Sequence, residues 1–136
     1  MSIRTSNRTF LLLGTALLAT AAHAATPREL LETWRADVRL QSPQFASFSA
    51  ERGKSLYFKQ PADWSCSTCH TNDPRSGGRH AVTGKSIKPL SPLANPARFS
   101  DAAKVEKWFK RNCKDVLKRE CTVEEKGDLL TYLMSQ

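Results

Sequence analysis

Acidic side chains are few, 13 against 21 Lys and Arg, which leaves a formal charge of +8 on 136 residues. Long hydrophobic runs are scarcer still. The one sustained stretch, Phe10 to Ala22, falls short of the ~20 residues that cross a bilayer core as a helix, and this excludes a multi-span membrane protein. A glycine-rich phosphate loop and a Ser/His/Asp arrangement are both missing, so nucleotide binding and hydrolysis have no motif to rest on. Internal repeats and convincing strand patterns are missing too. Apolar residues nevertheless make up 40% of the chain, too many for wholesale disorder, and the length suits one domain.

Arg4 and Arg8 precede the apolar stretch, and Ala22-His23-Ala24 supplies the small residues of a leader-peptidase site. Residues 1–24 therefore read as a signal peptide cleaved after Ala24, which sends the domain 25–136 to the periplasm, an oxidising compartment. Removing the leader with its two arginines leaves 112 residues and a charge of +6. A core this small commonly relies on disulfides, metals or cofactors.

Four helices are expected in the mature chain. Thr26 as N-cap and Pro27 at N1 open the first, whose Leu30, Leu31, Trp34 and Val38 recur at helical spacing before Pro43. Ser49 to Lys59 forms the second, with Gly53, Leu56 and Tyr57 on its packing face. Asp101 caps the third, running to about Leu117 with an apolar stripe of Val105, Trp108, Phe109 and Val116. The capping box Thr122-Val-Glu-Glu125 opens the last, which buries Leu129, Leu130 and Leu133 with Tyr132 and Met134 alongside. Between them Thr71 to Ser100 is rich in Pro and Gly without periodicity. It reads as a long turned loop that needs something to wrap around, its Lys85, Lys88 and Arg98 charges simply solvated.

Cys66-Ser-Thr-Cys69-His70 carries the chemistry. Cys-x-x-Cys-His sets two thiols one turn apart to form thioethers with the vinyl groups of haem, and holds the adjacent imidazole beneath the iron. A zinc knuckle or a Cys-x-x-Cys disulfide needs no histidine there. One covalent haem c is thus the expected cofactor, with His70 as proximal iron ligand. Gly53, Tyr57, Cys66 to His70 and the Leu129 to Leu133 helix together resemble a class I cytochrome c, and the fold class expected is a small all-α cytochrome c-like fold around one haem.

The other side of the iron is open to several residues. Only Met134 remains as a thioether after the leader, and it lies on the last helix, where core packing is the ordinary role. His80 follows His70 by ten residues in a Gly-rich loop and has the reach to cross the haem, although a solvent-facing histidine explains it equally well. Asn112 stands at i+3 from Phe109 and i−4 from Val116, on the stripe that should face the core, where an amide needs a partner.

The run Trp108-Phe109-Lys110-Arg111-Asn112-Cys113-Lys114-Asp115-Val116-Leu117, with Arg119-Glu120-Cys121-Thr122 and the loop Thr83-Gly84-Lys85 through Asn95-Pro96-Ala97-Arg98-Phe99-Ser100-Asp101, closely resembles the sphaeroides haem protein family of oxygen-binding cytochromes c. The likeness spans most of Gly53 to Leu133. It implies that Asn112 is the sixth iron ligand and that Cys113 pairs with Cys121. It also implies a diheme cytochrome c or a membrane cytochrome b as electron donor. With Cys66 and Cys69 on the haem, the remaining two cysteines are an even number in an oxidising compartment. Closing so short a loop contributes about 2.5 kcal/mol in the chain-entropy model.

An amide carbonyl is a hard, weak ligand that suits ferric better than ferrous iron. The function expected is therefore reduction followed by release of Asn112 and binding of O2, NO or CO, with oxygen reduction or nitric oxide detoxification as conceivable enzymatic outcomes. A permanently six-coordinate electron carrier using His80 or Met134 is the alternative. Lys104, Lys107, Lys110, Arg111, Lys114, Lys118 and Arg119 along one helix and its end suit an acidic redox partner, and export makes nucleic acid an unsuitable one.

Overall fold

The structure, a computed structural model, describes residues 24–136, so the leader expected over residues 1–24 lies outside the described residues except for Ala24. Five helices and one minimal hairpin follow in the order α1 (Pro27–Gln41), α2 (Ala50–Phe58), α3 (Cys66–His70), β1 (Gly78–Arg79), β2 (Ser86–Ile87), α4 (Ala102–Leu117) and α5 (Val123–Met134). Among the described residues no helix is long and apolar enough to cross a membrane.

Capping chemistry sets most helix starts. Thr26 and Glu29 form a reciprocal capping box ahead of α1, and Thr122 and Glu125 do the same for α5. Ser49 and Asp101 accept from the backbone N–H of Arg52 and Lys104 at the starts of α2 and α4. Each of these satisfies donors that the first helical turn leaves without an intrahelical partner.

The core falls into two adjoining clusters. Leu30, Trp34 and Val38, at i, i+4 and i+8 of α1, pack with Phe48, Val105 and Leu130. Leu56 and Tyr57 of α2 pack with Leu129, Tyr132 and Leu133 of α5. Phe99 and Phe109 border both clusters and so join them. Gly53 is what lets α2 and α5 approach: a Cβ there would run into the main-chain carbonyl of Asp128.

Asp128 itself is buried, 4% exposed, within α5. It accepts from Ser49 N at 2.7 Å and from Arg52 Nε at 2.7 Å and Nη2 at 2.8 Å, so its charge is met by hydrogen bonds from the start of α2. Helix α4 is attached differently. Only Val105 and Cys113 of its residues are buried, while Glu106 accepts from Trp34 Nε1 and from Lys126 Nζ, each at 2.7 Å, pinning α4 to α1 and α5.

Two expectations change here. The long loop contains the β1–β2 hairpin, with Gly78 paired to Ile87, although two-residue strands leave no alternating pattern to read. The apolar stripe expected on α4 is only partly inward: Phe109 and Val116 are half-buried, Trp108 is 47% exposed and Asn112 is exposed.

Candidate functional site

Cys66, Cys69 and His70 make up most of α3, a five-residue helix whose start is fixed by a capping box between Ser65 and Thr68. Its end is equally abrupt. Thr71 adopts φ 63°, ψ 174°, a conformation that a β-branched residue enters only under constraint. The constraint is visible. The fully buried Tyr57 donates its hydroxyl to the carbonyls of His70 at 3.0 Å and Thr71 at 2.7 Å, while Thr71 Oγ1 donates to Asp73 O at 2.8 Å. Burial, with the Cys66 thiol beside it, holds the Tyr57 phenol protonated well above its usual range, so it stays a donor.

Around this helix the hairpin closes in. Gly78 lies so near α3 that a Cβ would strike the Cys69 carbonyl, and Ala81 N donates to Cys69 Sγ at 3.4 Å. Leu90 N and Ser91 N both donate to Pro74 O at 2.9 Å, which fastens the following loop beside α3. Arg98 donates Nε to Pro89 O at 3.0 Å and Nη2 to Lys88 O at 2.9 Å. Lys85 and Lys88 are exposed, as expected, but Arg98 is half-buried. The expectation that all three are solvated therefore fails for Arg98, because its guanidinium serves main-chain carbonyls of its own loop.

The donors have the character a haem needs. Cys66 and Cys69 are free thiols, half-buried and one turn apart, and burial pushes the Cys66 thiol up to about 11. His70 is also half-buried, and burial together with the Arg98 charge lowers its imidazole to about 4. It is thus neutral near pH 7, with a nitrogen lone pair to offer iron. Val82 next to the hairpin turn and Trp108 on α4 present apolar surface, 72% and 47% exposed, of the kind a porphyrin ring covers. Two thiols, a neutral imidazole and apolar faces fit a covalently held haem.

Cys113 and Cys121 are joined by a disulfide, S–S 2.03 Å, that ties α4 to the start of α5. Asn112, its sequence neighbour, is exposed, and its side chain makes no hydrogen bond with any described residue. It is flanked at i−3 and i+4 by half-buried Phe109 and Val116. Phe109 and Leu117 of α4 and Cys66 of α3 all border the same apolar cluster, so α4 and α3 both adjoin the packing of α2 on α5.

The other candidates have occupations. His80 Nδ1 accepts from Val82 N at 3.3 Å and Thr83 N at 3.2 Å, closing the hairpin turn. Met134 is half-buried against the first core cluster. Reading the chain missed Tyr57 as a hydroxyl donor, Thr71 as a strained stop, Arg98 and Asp128. Only Tyr57, a polar-tipped aromatic ahead of the motif, carried a signal.

Residues 43–133 match the family described as "Domain of unknown function (DUF1924)". Cytochrome c-type protein SHP from Cereibacter sphaeroides is 47% identical over 96 residues, 67% of this chain and 74% of that protein. Cytochrome c'' from Methylophilus methylotrophus is 38% identical over 100 residues, 70% of this chain and 69% of that one. The structure of oxidised SHP, described as an oxygen-binding cytochrome c, superposes with TM-score 0.73 at 41% identity, covering 83% of this chain and 99% of the other. The solution structure of cytochrome c'', concerned with haem-ligand detachment, superposes with TM-score 0.71 at 34% identity, covering 81% and 93%.

Proposed function

The chain belongs to the SHP family of cytochromes c, with one covalently attached haem c as its cofactor, and on that premise we propose that it is an exported protein in which reduction releases Asn112 and opens a binding place for a small diatomic molecule. Haem c, when bound, would supply a one-electron iron couple. Cys66 and Cys69 would hold it as thioethers, and His70, kept neutral by burial and the Arg98 charge, would be the iron's first protein ligand. Asn112 would be the second protein ligand, through its carbonyl oxygen. That weak, hard donor would suit ferric better than ferrous iron, and an amide not engaged with the iron could donate a hydrogen bond to O2, NO or CO.

The observation that carries this reading is the placement of Asn112. It stands on α4, its exposed side chain has no hydrogen-bond partner among the described residues, and its neighbour Cys113 is anchored by the disulfide. The two relatives support it by what is said of them, oxygen binding for one and ligand detachment for the other. A six-coordinate carrier using His80 or Met134 is disfavoured, since His80 Nδ1 closes a turn and Met134 packs in the core. Electrons would come from an acidic redox protein, such as a diheme cytochrome c or a membrane cytochrome b, docking on the α4 cations. Lys107 on the helix and Lys118 just past its end are paired with no carboxylate among the described residues, whereas Lys110 and Lys114 share Glu120 at 3.6 and 3.1 Å.

Absorption spectra of the ferric and dithionite-reduced holoprotein, with and without carbon monoxide, test the proposal. The expected result is a high-spin ferrous spectrum that shifts promptly on adding the gas. Asn112→Ala should alter the ferric spectrum while leaving ferrous ligand uptake. An unchanged ferric spectrum removes Asn112 from the iron, and a low-spin ferrous form indifferent to carbon monoxide makes the protein an electron carrier.

A further inference from the structure

Beside α3 the protein holds a positive charge that no carboxylate among the described residues meets. Arg98 is half-buried, its Nε and one Nη2 hydrogen are held by the carbonyls of Pro89 and Lys88, and no described carboxylate pairs with it. Desolvation lowers its affinity for a proton with no acidic group to offset the effect. Every other feature of the loop makes the guanidinium rigid. Asn95 Nδ2 donates to the same Pro89 carbonyl at 3.1 Å, Arg98 N donates to Asn95 O at 2.9 Å, and the Leu90 and Ser91 amides bolt the segment onto Pro74.

A guanidinium carries five N–H groups in a planar fork, and two of them are used here. The remaining donors match a carboxylate, and an unpaired buried charge is costly until an anion meets it. The family's cofactor brings two carboxylates with it into this part of the molecule. We propose that Arg98 is the anchor for a haem propionate, a preset anion-binding position that fixes the charge balance beside His70.

Two consequences follow from ordinary electrostatics. A cation next to the haem favours the reduced, more negative state, so removing it should lower the midpoint potential. A bidentate pair also restrains the propionate itself, which a lysine, a point charge, does less well. Arg98 would do this whether or not Asn112 ligates the iron, so the two readings fail separately.

The test is resonance Raman spectroscopy of the propionate bending mode in the wild-type holoprotein, Arg98→Gln and Arg98→Lys, together with their midpoint potentials. Arg98→Gln should move the mode and shift the ferric-to-ferrous balance roughly tenfold toward ferric, about 59 mV for one electron. Arg98→Lys should recover most of the potential while leaving the mode displaced. A mode that does not move in Arg98→Gln overturns the proposal, because loss of a distant charge would alter the potential alone. Should that variant fail to fold, the wild-type protein provides its own reference, since covalent haem stays on the chain in guanidinium. A propionate mode identical in the folded and unfolded protein also overturns it, and a difference supports it.

Discussion

Helices α5 and α4 are neighbours in sequence and opposites in attachment. Six of the twelve residues of α5 are buried, Gly127 and Asp128 among them, and α2 lies against it at the distance Gly53 permits. Only two of the sixteen residues of α4 are buried, and it is held by Glu106, by Phe109 at the edge of both clusters and by one disulfide. The first pair is closed by shape, and interiors packed that way have no soft adjustment. The second is fastened at points, so a shift of α4 need not unpack the core. The release proposed for Asn112 calls for a helix of the second kind, and Asn112 is on α4.

The largest effect should come from breaking the shape-closed pair. Gly53→Val places a side chain into the Asp128 carbonyl, main-chain atoms that cannot turn aside, and against the Cβ of Tyr132. A loss of about 3 kcal/mol is expected, the upper part of the range for overpacked cores. Guanidinium unfolding of the ferric holoprotein measures it. A midpoint unchanged from wild type would mean that α2 and α5 slide freely, and the contrast between the two regions would disappear.

Point fastening predicts a smaller and more local loss. Replacing both Cys113 and Cys121 by Ser removes a closed loop worth about 2.5 kcal/mol in the chain-entropy model. Hydrogen exchange should place the extra opening in α4, with the α2 and α5 amides still the last to exchange. Faster exchange spread evenly over α4 and α5 would show that the two helices open as one unit.

How much of this was legible in advance depends on where each residue finds its partner. Thr26 with Glu29, Thr122 with Glu125, and Asp101 with Lys104 bond three residues apart, so the helix starts could be read from sequence. The Cys66 to His70 spacing is local as well, and the Cys113–Cys121 pair followed from family likeness and an even cysteine count. Asp128 could not be read. Its partners Ser49 and Arg52 are 79 and 76 residues away, and a charged residue on a helix is ordinarily solvated. Arg98 was hidden for another reason. Its partners are main-chain carbonyls, which every residue possesses, so nothing in the side-chain pattern marks it. Trp108 and Asn112 were placed on an inward stripe by periodicity alone, but the protein's own core covers α4 only at Val105 and Cys113.

The smallest expected effect refines the account of how α4 is fastened. Arg119, just past the end of α4, makes a two-pronged pair with Glu125 of α5, Nη1 to Oε2 at 2.7 Å and Nη2 to Oε1 at 2.6 Å. The tie runs parallel to the disulfide and, unlike it, titrates. The Arg119 guanidinium, with help from the Thr122 amide, holds the Glu125 carboxyl below its ordinary value of 4.5. A carboxylate whose affinity for protons is lower folded than unfolded adds stability above the unfolded value, and loses it as the pH falls through the folded one. Glu125→Gln should therefore cost at most about 1 kcal/mol at neutral pH, as for other partly exposed pairs, with the difference from wild type closing as the pH falls below 4.5. Unfolding curves of the two proteins at a series of pH values would measure this. A difference that persists unchanged into acid would assign the loss to the neutral part of the capping box, the Glu125 hydrogen bond to Thr122 N at 2.9 Å, and leave the disulfide and Glu106 as the fastenings of α4.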